Sequence, residues 1–189
     1  MKLLFCGDSI TNGFPFSRSE SFPNVLADLT GIEAINVGAN GISSSDVRSV
    51  FEMHVHTTTP DAVHIMCGSN DFVFGSSGPE AACQNVKRMA EECQKLGITP
   101  IVAAPPLTDV KMASQLWMPA DYDLVNEVLE EYRHLLSDCC RTNSILFFDL
   151  QEEYKKNGDY VDGVHPTVAG QKFIAEKLRE LLSLQFTLK

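Results

Sequence analysis

No stretch of this chain approaches the roughly 20 consecutive apolar residues that a membrane-spanning helix needs. Gly, Pro or a charge interrupts its apolar runs within about eight residues. The opening MKLLFCGDSI has one lysine and a handful of apolar residues before Gly7, Asp8 and Ser9, too short for the hydrophobic segment of a secretion signal. Basic residues are in deficit, 15 Lys and Arg against 25 Asp and Glu for a net charge of −10, and they are nowhere concentrated. Nucleic acids and anionic membrane surfaces are therefore not expected partners. Neither a Walker lysine nor a GxGxxG turn is present, so ATP and dinucleotide roles lack their signatures. The six cysteines include no CxxC pair, which leaves neither a zinc ribbon nor a redox dithiol to read. They are expected to be reduced, mostly buried thiols of a soluble cytoplasmic protein.

What is present is ordinary globular material, 44 % hydrophobic and 21 % charged over 189 residues. That is enough for one domain over 1–189 with a core needing no disulfide or metal. Short apolar runs, often β-branched and ended by Gly, Pro or Asp, occur at 2–6, 33–37, 62–67, 99–104 and 144–149. They read as buried parallel strands. Helical periodicity falls between and after them, at 21–29, 44–53, 79–96, 121–140 and 168–184. In the third, Ser77 and Glu80 suggest a capping box and Gly97 a left-handed stop. In the fourth, Leu124, Val128, Leu135 and Cys139, broadened by Leu129, Tyr132 and Leu136, suggest the buried stripe. This alternation predicts a five-stranded parallel sheet inside a three-layer α/β/α sandwich. Ligands of such sheets bind beyond the carboxyl ends of the strands.

The strand ends carry the chemistry. Gly7-Asp8-Ser9-Ile10 follows the first strand, with Ser9 at the start of a helical turn whose free N–H groups favour developing negative charge. Asn36-Val37-Gly38-Ala39-Asn40-Gly41 follows the second, and Gly68-Ser69-Asn70-Asp71 the third. The N–H groups of Ser9 and Gly41 and the amide of Asn70 would form an oxyanion hole. After the fifth strand, Asp162-Gly163-Val164-His165-Pro166 sets a carboxylate three residues from an imidazole, able to hold Nδ1 and leave Nε2 free. Ser9 as nucleophile, His165 as base and Asp162 as its orienting carboxylate make a hydrolytic triad.

In order and spacing these four blocks resemble those of the SGNH hydrolases, also called the GDSL esterase and lipase family, over nearly the whole chain. The resemblance implies a flavodoxin-like fold with strand order 2-1-3-4-5. It also implies Ser9, Gly41, Asn70 and His165 as the residues that name the family, with Asp162 completing the triad. Ile10 stands where the family nickname has Leu, and Ser69 where Thr is common, neither of them a nucleophile or proton carrier. No cofactor or metal is implied, and the substrate is a small-molecule carboxylic ester, either an acyl ester of lipase or lysophospholipase type or a small ester, cleaved through an acyl-Ser9 intermediate. Acetylated sugars and acyl thioesters are alternatives on the same triad.

Two other classes are compatible with parts of the pattern. A metal-dependent phosphoesterase would use Asp8, Asn70, Asp71, Asp162 and His165 as donors but leaves Ser9 and Gly41 with little to do. A non-catalytic carbohydrate or peptide binder gives no reason for the triad. His54 and His56, with Asp61 or His64, have unspecific metal-like spacing at the opposite rim and read as solvated. For the substrate, Phe14, Phe72, Phe74, Leu107, Leu116 and Trp117 are the expected apolar wall. Three of them (Leu107, Leu116 and Trp117) lie in the unusually long connection 105–120.

Overall fold

The computed structural model describes residues 1–186, with the side chains of 156 and 157 excepted. Five strands, β1 (Lys2–Gly7), β2 (Glu33–Asn36), β3 (Ala62–Met66), β4 (Thr99–Ala103) and β5 (Leu146–Phe148), pair in parallel in the order 2-1-3-4-5. Because side chains alternate across a strand, each strand feeds two cores. Leu4, Cys6, Val63, Ile65 and Val102 face one side, covered by α3 (Ser44–Thr58), α5 (Pro79–Lys95) and α7 (Tyr122–Thr142). Leu3, Phe5, Met66, Ile101 and Phe148 face the other, covered by α2 (Phe22–Thr30), α8 (Leu150–Asn157) and α9 (Val168–Gln185). The result is the flavodoxin-like three-layer sandwich. No helix among the described residues is long and apolar enough to cross a membrane.

Three short helices stand near the carboxyl rim: α1 (Ser9–Asn12) after β1, α4 (Ser69–Val73) after β3 and α6 (Val110–Leu116) after β4. The connection 105–120 is thus partly helical, with Asp109 accepting from the Met112 N–H as its cap. The polar stretch after β5 likewise contains α8, which buries Leu150 and Tyr154 one turn apart.

Two local expectations are corrected. Ser77 does not cap α5, because its hydroxyl donates to Asp71 Oδ1 at 2.8 Å, while Gly78 is the cap residue and Pro79 occupies the first turn. Gly97, at φ +71°, does supply the left-handed stop. On α7 the buried seam runs through Tyr122, Val125, Leu129, Tyr132, Leu136 and Cys140, so the stripe is rotated by about one residue and Leu124 is exposed.

His64 lies in the middle of β3, fully buried, with no hydrogen-bond partner for either ring nitrogen among the described residues. The rings of Phe5, Phe22 and Phe148 surround it. It is therefore not available as a metal ligand beside His54 and His56, the pair that reads as solvated. His56 instead pairs with Glu52, and Asp61 accepts the Lys2 N–H. Burial pushes the His64 imidazole down to about 3. A base held neutral when folded binds fewer protons than it does unfolded, where its pKa is about 6.5. Its share of stability is thus complete above pH 7 and is lost as pH falls below 6.5, by about 2 kcal/mol between pH 7 and 5. In urea unfolding at both pH values, His64→Leu is expected to gain about that much on the wild type as the pH drops. Parallel pH dependences for the two proteins would contradict this origin.

Candidate active site

Each carboxyl-end loop brings one part of the site. β1 ends at Gly7, where a Cβ would lie 2.3 Å from the Met66 carbonyl and 2.2 Å from Thr11 Oγ1, so only glycine lets the chain turn at once into α1. Asp8 caps α1 by accepting the Ile10 N–H, and Ser9 is its first residue. The Ser9 N–H has no intrahelical partner for that reason. Asp8 is buried, and burial pushes its carboxyl up to about 6, with the nearby His165 charge opposing the rise and that of Asp71 adding to it.

The loop 162–166 sets the imidazole. Asp162 Oδ1 accepts the N–H groups of Val164 (2.9 Å) and His165 (2.8 Å), while Oδ2 lies 2.7 Å from His165 Nδ1. Burial alone would raise the Asp162 carboxyl, but these hydrogen bonds and the His165 charge outweigh it and hold the group below the usual carboxylate range. A carboxylate only accepts, so it keeps the ring proton on Nδ1 and leaves Nε2 an acceptor. Nε2 lies 2.9 Å from Ser9 Oγ. Gly163, at φ +88°, lets this loop pack against α6. A Cβ there would sit 2.2 Å from the Ala113 nitrogen, and its carbonyl accepts the Asp109 N–H at 2.8 Å. The long connection thereby braces the His165 loop, a use not evident from its sequence.

Opposite Ser9, the second and third loops meet. Gly38 presses against α1 and its N–H is already donated to Asn36 Oδ1 at 2.9 Å. Gly41, at φ +75°, keeps an N–H with no partner among the described residues and lines the cavity. Asn70, in the first turn of α4, donates one Nδ2 hydrogen to the Ile42 carbonyl at 2.9 Å and has a second to spare.

These groups open on a cavity of about 220 Å³. Ser9, Gly41, Asn70, His165, Phe14, Phe74 and Trp117 all line it, together with Ile10, Val73 and Val164. The Phe14 and Trp117 rings meet His165 edge-on, with centroids 4.8 and 4.7 Å away. Three expected wall residues lie elsewhere. Phe72 is buried with its ring against Tyr132, Leu107 packs toward the core, and Leu116 is largely exposed on α6. Of the wall residues that sequence reasoning missed, Ile10 and Val164 lie inside the motifs and Val73 two residues past Asp71, and the polar Asn40 and Ser69 complete the lining.

Of the carboxylates that a metal site would use, Asp162 and Asp71 are fully engaged, while Asp8 keeps Oδ2 without a partner among the described residues. Asp162 holds His165 and its own loop, and Asp71 accepts from Ser44 and Ser77. Among the described residues no three His, Cys, Asp or Glu side chains cluster as metal ligands.

The sequence matches the model of the GDSL-like lipase/acylhydrolase family over residues 5–173. No curated protein matches it significantly. Among solved structures, a G-D-S-L family protein from Desulfitobacterium hafniense DCB-2 superposes with a TM-score of 0.79 at 25% identity, over 96% of this chain and 99% of the other. The M. smegmatis aryl esterase gives 0.83 at 20% identity, covering 98% and 99% of the two chains. A catalytic mutant of an acetylxylan esterase from Geobacillus stearothermophilus gives 0.76 at 24%, covering 95% and 93%.

Proposed function

The chain belongs to the GDSL-like lipase/acylhydrolase family and is a serine ester hydrolase, and from that premise we propose that Ser9 is its nucleophile and that it cleaves neutral carboxylic esters with a short acyl or aryl group. The observation that carries this is the continuous relay of Ser9 Oγ, His165 and Asp162, at 2.9 and 2.7 Å, opening on a mainly apolar cavity.

Ser9 Oγ attacks the ester carbonyl as His165 Nε2 takes its proton. The carbonyl oxygen, now negative, is received by the N–H groups of Ser9 and Gly41 and the spare Asn70 amide hydrogen. His165 returns the proton to the departing alcohol, leaving acyl-Ser9. Water, deprotonated by the same imidazole, then releases the acid. Phe14 and Trp117 flank the ring and exclude solvent from one side of the relay.

A volume of about 220 Å³ falls below the roughly 300–1,000 Å³ of sites for drug-sized ligands, which supports a small ester. The apolar lining favours it over acetylated sugars, and the acidic chain over anionic acyl donors. Each methylene buried is worth about 0.8 kcal/mol. Turnover of p-nitrophenyl esters is therefore expected to rise about fourfold in kcat/KM per added carbon from acetate, then level off once the cavity is full. Preference for acetylated xylooligosaccharides or acyl thioesters in the same panel would overturn the substrate assignment, and failure of a fluorophosphonate to label Ser9 would overturn the nucleophile. All six thiols are free, which fits a reducing cytoplasm.

A further inference from the structure

We propose that Asp71 is the positioning residue of the oxyanion hole, a strut that holds the Gly41 loop at a fixed distance from Asn70. The role rests on the assignment of Ser9 as nucleophile and of Gly41 and Asn70 as oxyanion donors.

Asp71 is buried, one residue beyond Asn70, and touches no part of the cavity. Its Oδ2 accepts the Ser44 N–H at 2.7 Å, and its Oδ1 accepts the Ser44 hydroxyl at 2.7 Å and the Ser77 hydroxyl at 2.8 Å. Ser44 opens α3, three residues beyond Gly41, so the carboxylate also meets the positive end of a 15-residue helix. Asn70 ties the same loop at the Ile42 carbonyl. Two consecutive side chains thus clamp residues 42 and 44 to the start of α4, and Gly41 is carried with them.

The clamp answers a need in the loop itself. Gly41 has φ +75° and nothing within 4 Å of where a Cβ would stand, so its position is set by the tethers of its neighbours, Ala39 and Asn40 to the β1 loop on one side and residues 42 and 44 to α4 on the other. Asp46 and Ser43 cap α3 locally without reaching the β3 loop. On the far side Asn85 donates to Ser44 Oγ at 3.0 Å and is held by Arg48 at 2.9 Å, so Ser44 is fixed from both directions. A donor aimed at a developing oxyanion works only if it is preorganised, and displacement by a fraction of an ångström costs rate without costing substrate binding.

The negative charge itself is no help to an oxyanion nearby. An asparagine at 71 could keep every link, its oxygen accepting the Ser44 N–H and its amide donating to the two hydroxyls, since each hydroxyl accepts as readily as it donates. The strut and the charge are therefore separable by substitution.

The experiment compares wild type, Asp71→Ala and Asp71→Asn on p-nitrophenyl butyrate, with phenylboronic acid as a tetrahedral analogue. Asp71→Ala is expected to lower kcat 10- to 100-fold with KM within threefold of wild type, and to weaken boronate inhibition by the same factor as kcat. Asp71→Asn is expected to stay within threefold of wild type in both. Unchanged kcat in Asp71→Ala, or loss in Asp71→Asn as deep as in Asp71→Ala, would overturn the role. If Asp71→Ala does not fold, Ser44→Ala and Ser77→Ala decide. The first loosens the Gly41 loop and the second only the 75–78 turn, so kcat must fall at least fivefold further in Ser44→Ala, and equal losses would overturn the role. Absence of Ser9-dependent turnover in the wild type would instead overturn the reading of the site on which the strut depends.

Discussion

Ser9→Ala is expected to lower kcat/KM toward p-nitrophenyl butyrate by about a million-fold, while KM and the unfolding midpoint stay close to wild type. In the proposed mechanism the hydroxyl supplies the atom that enters the covalent bond, and nothing else in the cavity can replace it. The spare Asn70 hydrogen is a donor, and His165 Nε2, although basic, is aimed at the vacated position. Members of a triad act as a unit, so losing the nucleophile removes the contribution of the base as well. The Ser9 and Gly41 N–H groups and Asn70 would remain, leaving roughly 10³-fold acceleration over water. Because the Ser9 hydroxyl is small and buried at the mouth of α1, its removal leaves only a slight cavity. Initial rates on protein free of contaminating esterase check the prediction, and activity within tenfold of wild type would mean that Ser9 is not the nucleophile.

The second large effect is at Asp162, which touches no substrate. Asp162→Asn is expected to reduce kcat about 10⁴-fold with little change in KM. The side chain faces three donors, the N–H groups of Val164 and His165 on one oxygen and His165 Nδ1 on the other. An amide has one acceptor end. Turned to keep the two backbone bonds, its NH₂ points at Nδ1 and drives the ring proton to Nε2, where it blocks acceptance from Ser9. Turned the other way, it confronts two backbone donors with two of its own and costs the loop its shape. Kinetics with ¹⁵N spectra of the imidazole would report both the rate and the tautomer. A loss below tenfold, or a ring proton still on Nδ1, would argue that the carboxylate is not what orients His165.

The strand order and the loops that carry the site were legible because fully buried parallel strands appear as short, unbroken apolar runs. The fold then brings their carboxyl ends together without help from local sequence. What sequence could not convey was direction within an element. Phe72 follows Asn70 by two residues, yet the turn of α4 sends its ring away from the cavity toward Tyr132, whereas Phe74, two further on, reaches it. Leu107 and Leu116 lie in the same connection as Trp117, but only the last points at His165. The helices α6 and α8 leave no periodic signal in the sequence because each buries too few apolar side chains to establish one, Ala113 alone on α6. The Ser77–Glu80 spacing predicts a helix cap, but the partner of Ser77 is Asp71, which comes before α5 and not from it. His64 belongs to a polar residue type, yet its ring packs within an aromatic core of Phe5 and Phe22.

The bond between Ser9 and His165 joins positions 156 residues apart, one just past the carboxyl end of β1 and the other beyond β5. On the proposed assignment the serine emerges early in synthesis and stays chemically inert until the loop holding the histidine has left the ribosome and the sheet has closed around it. Activity arrives late and all at once, so the appearance of ester turnover times the completion of this fold in a translating mixture.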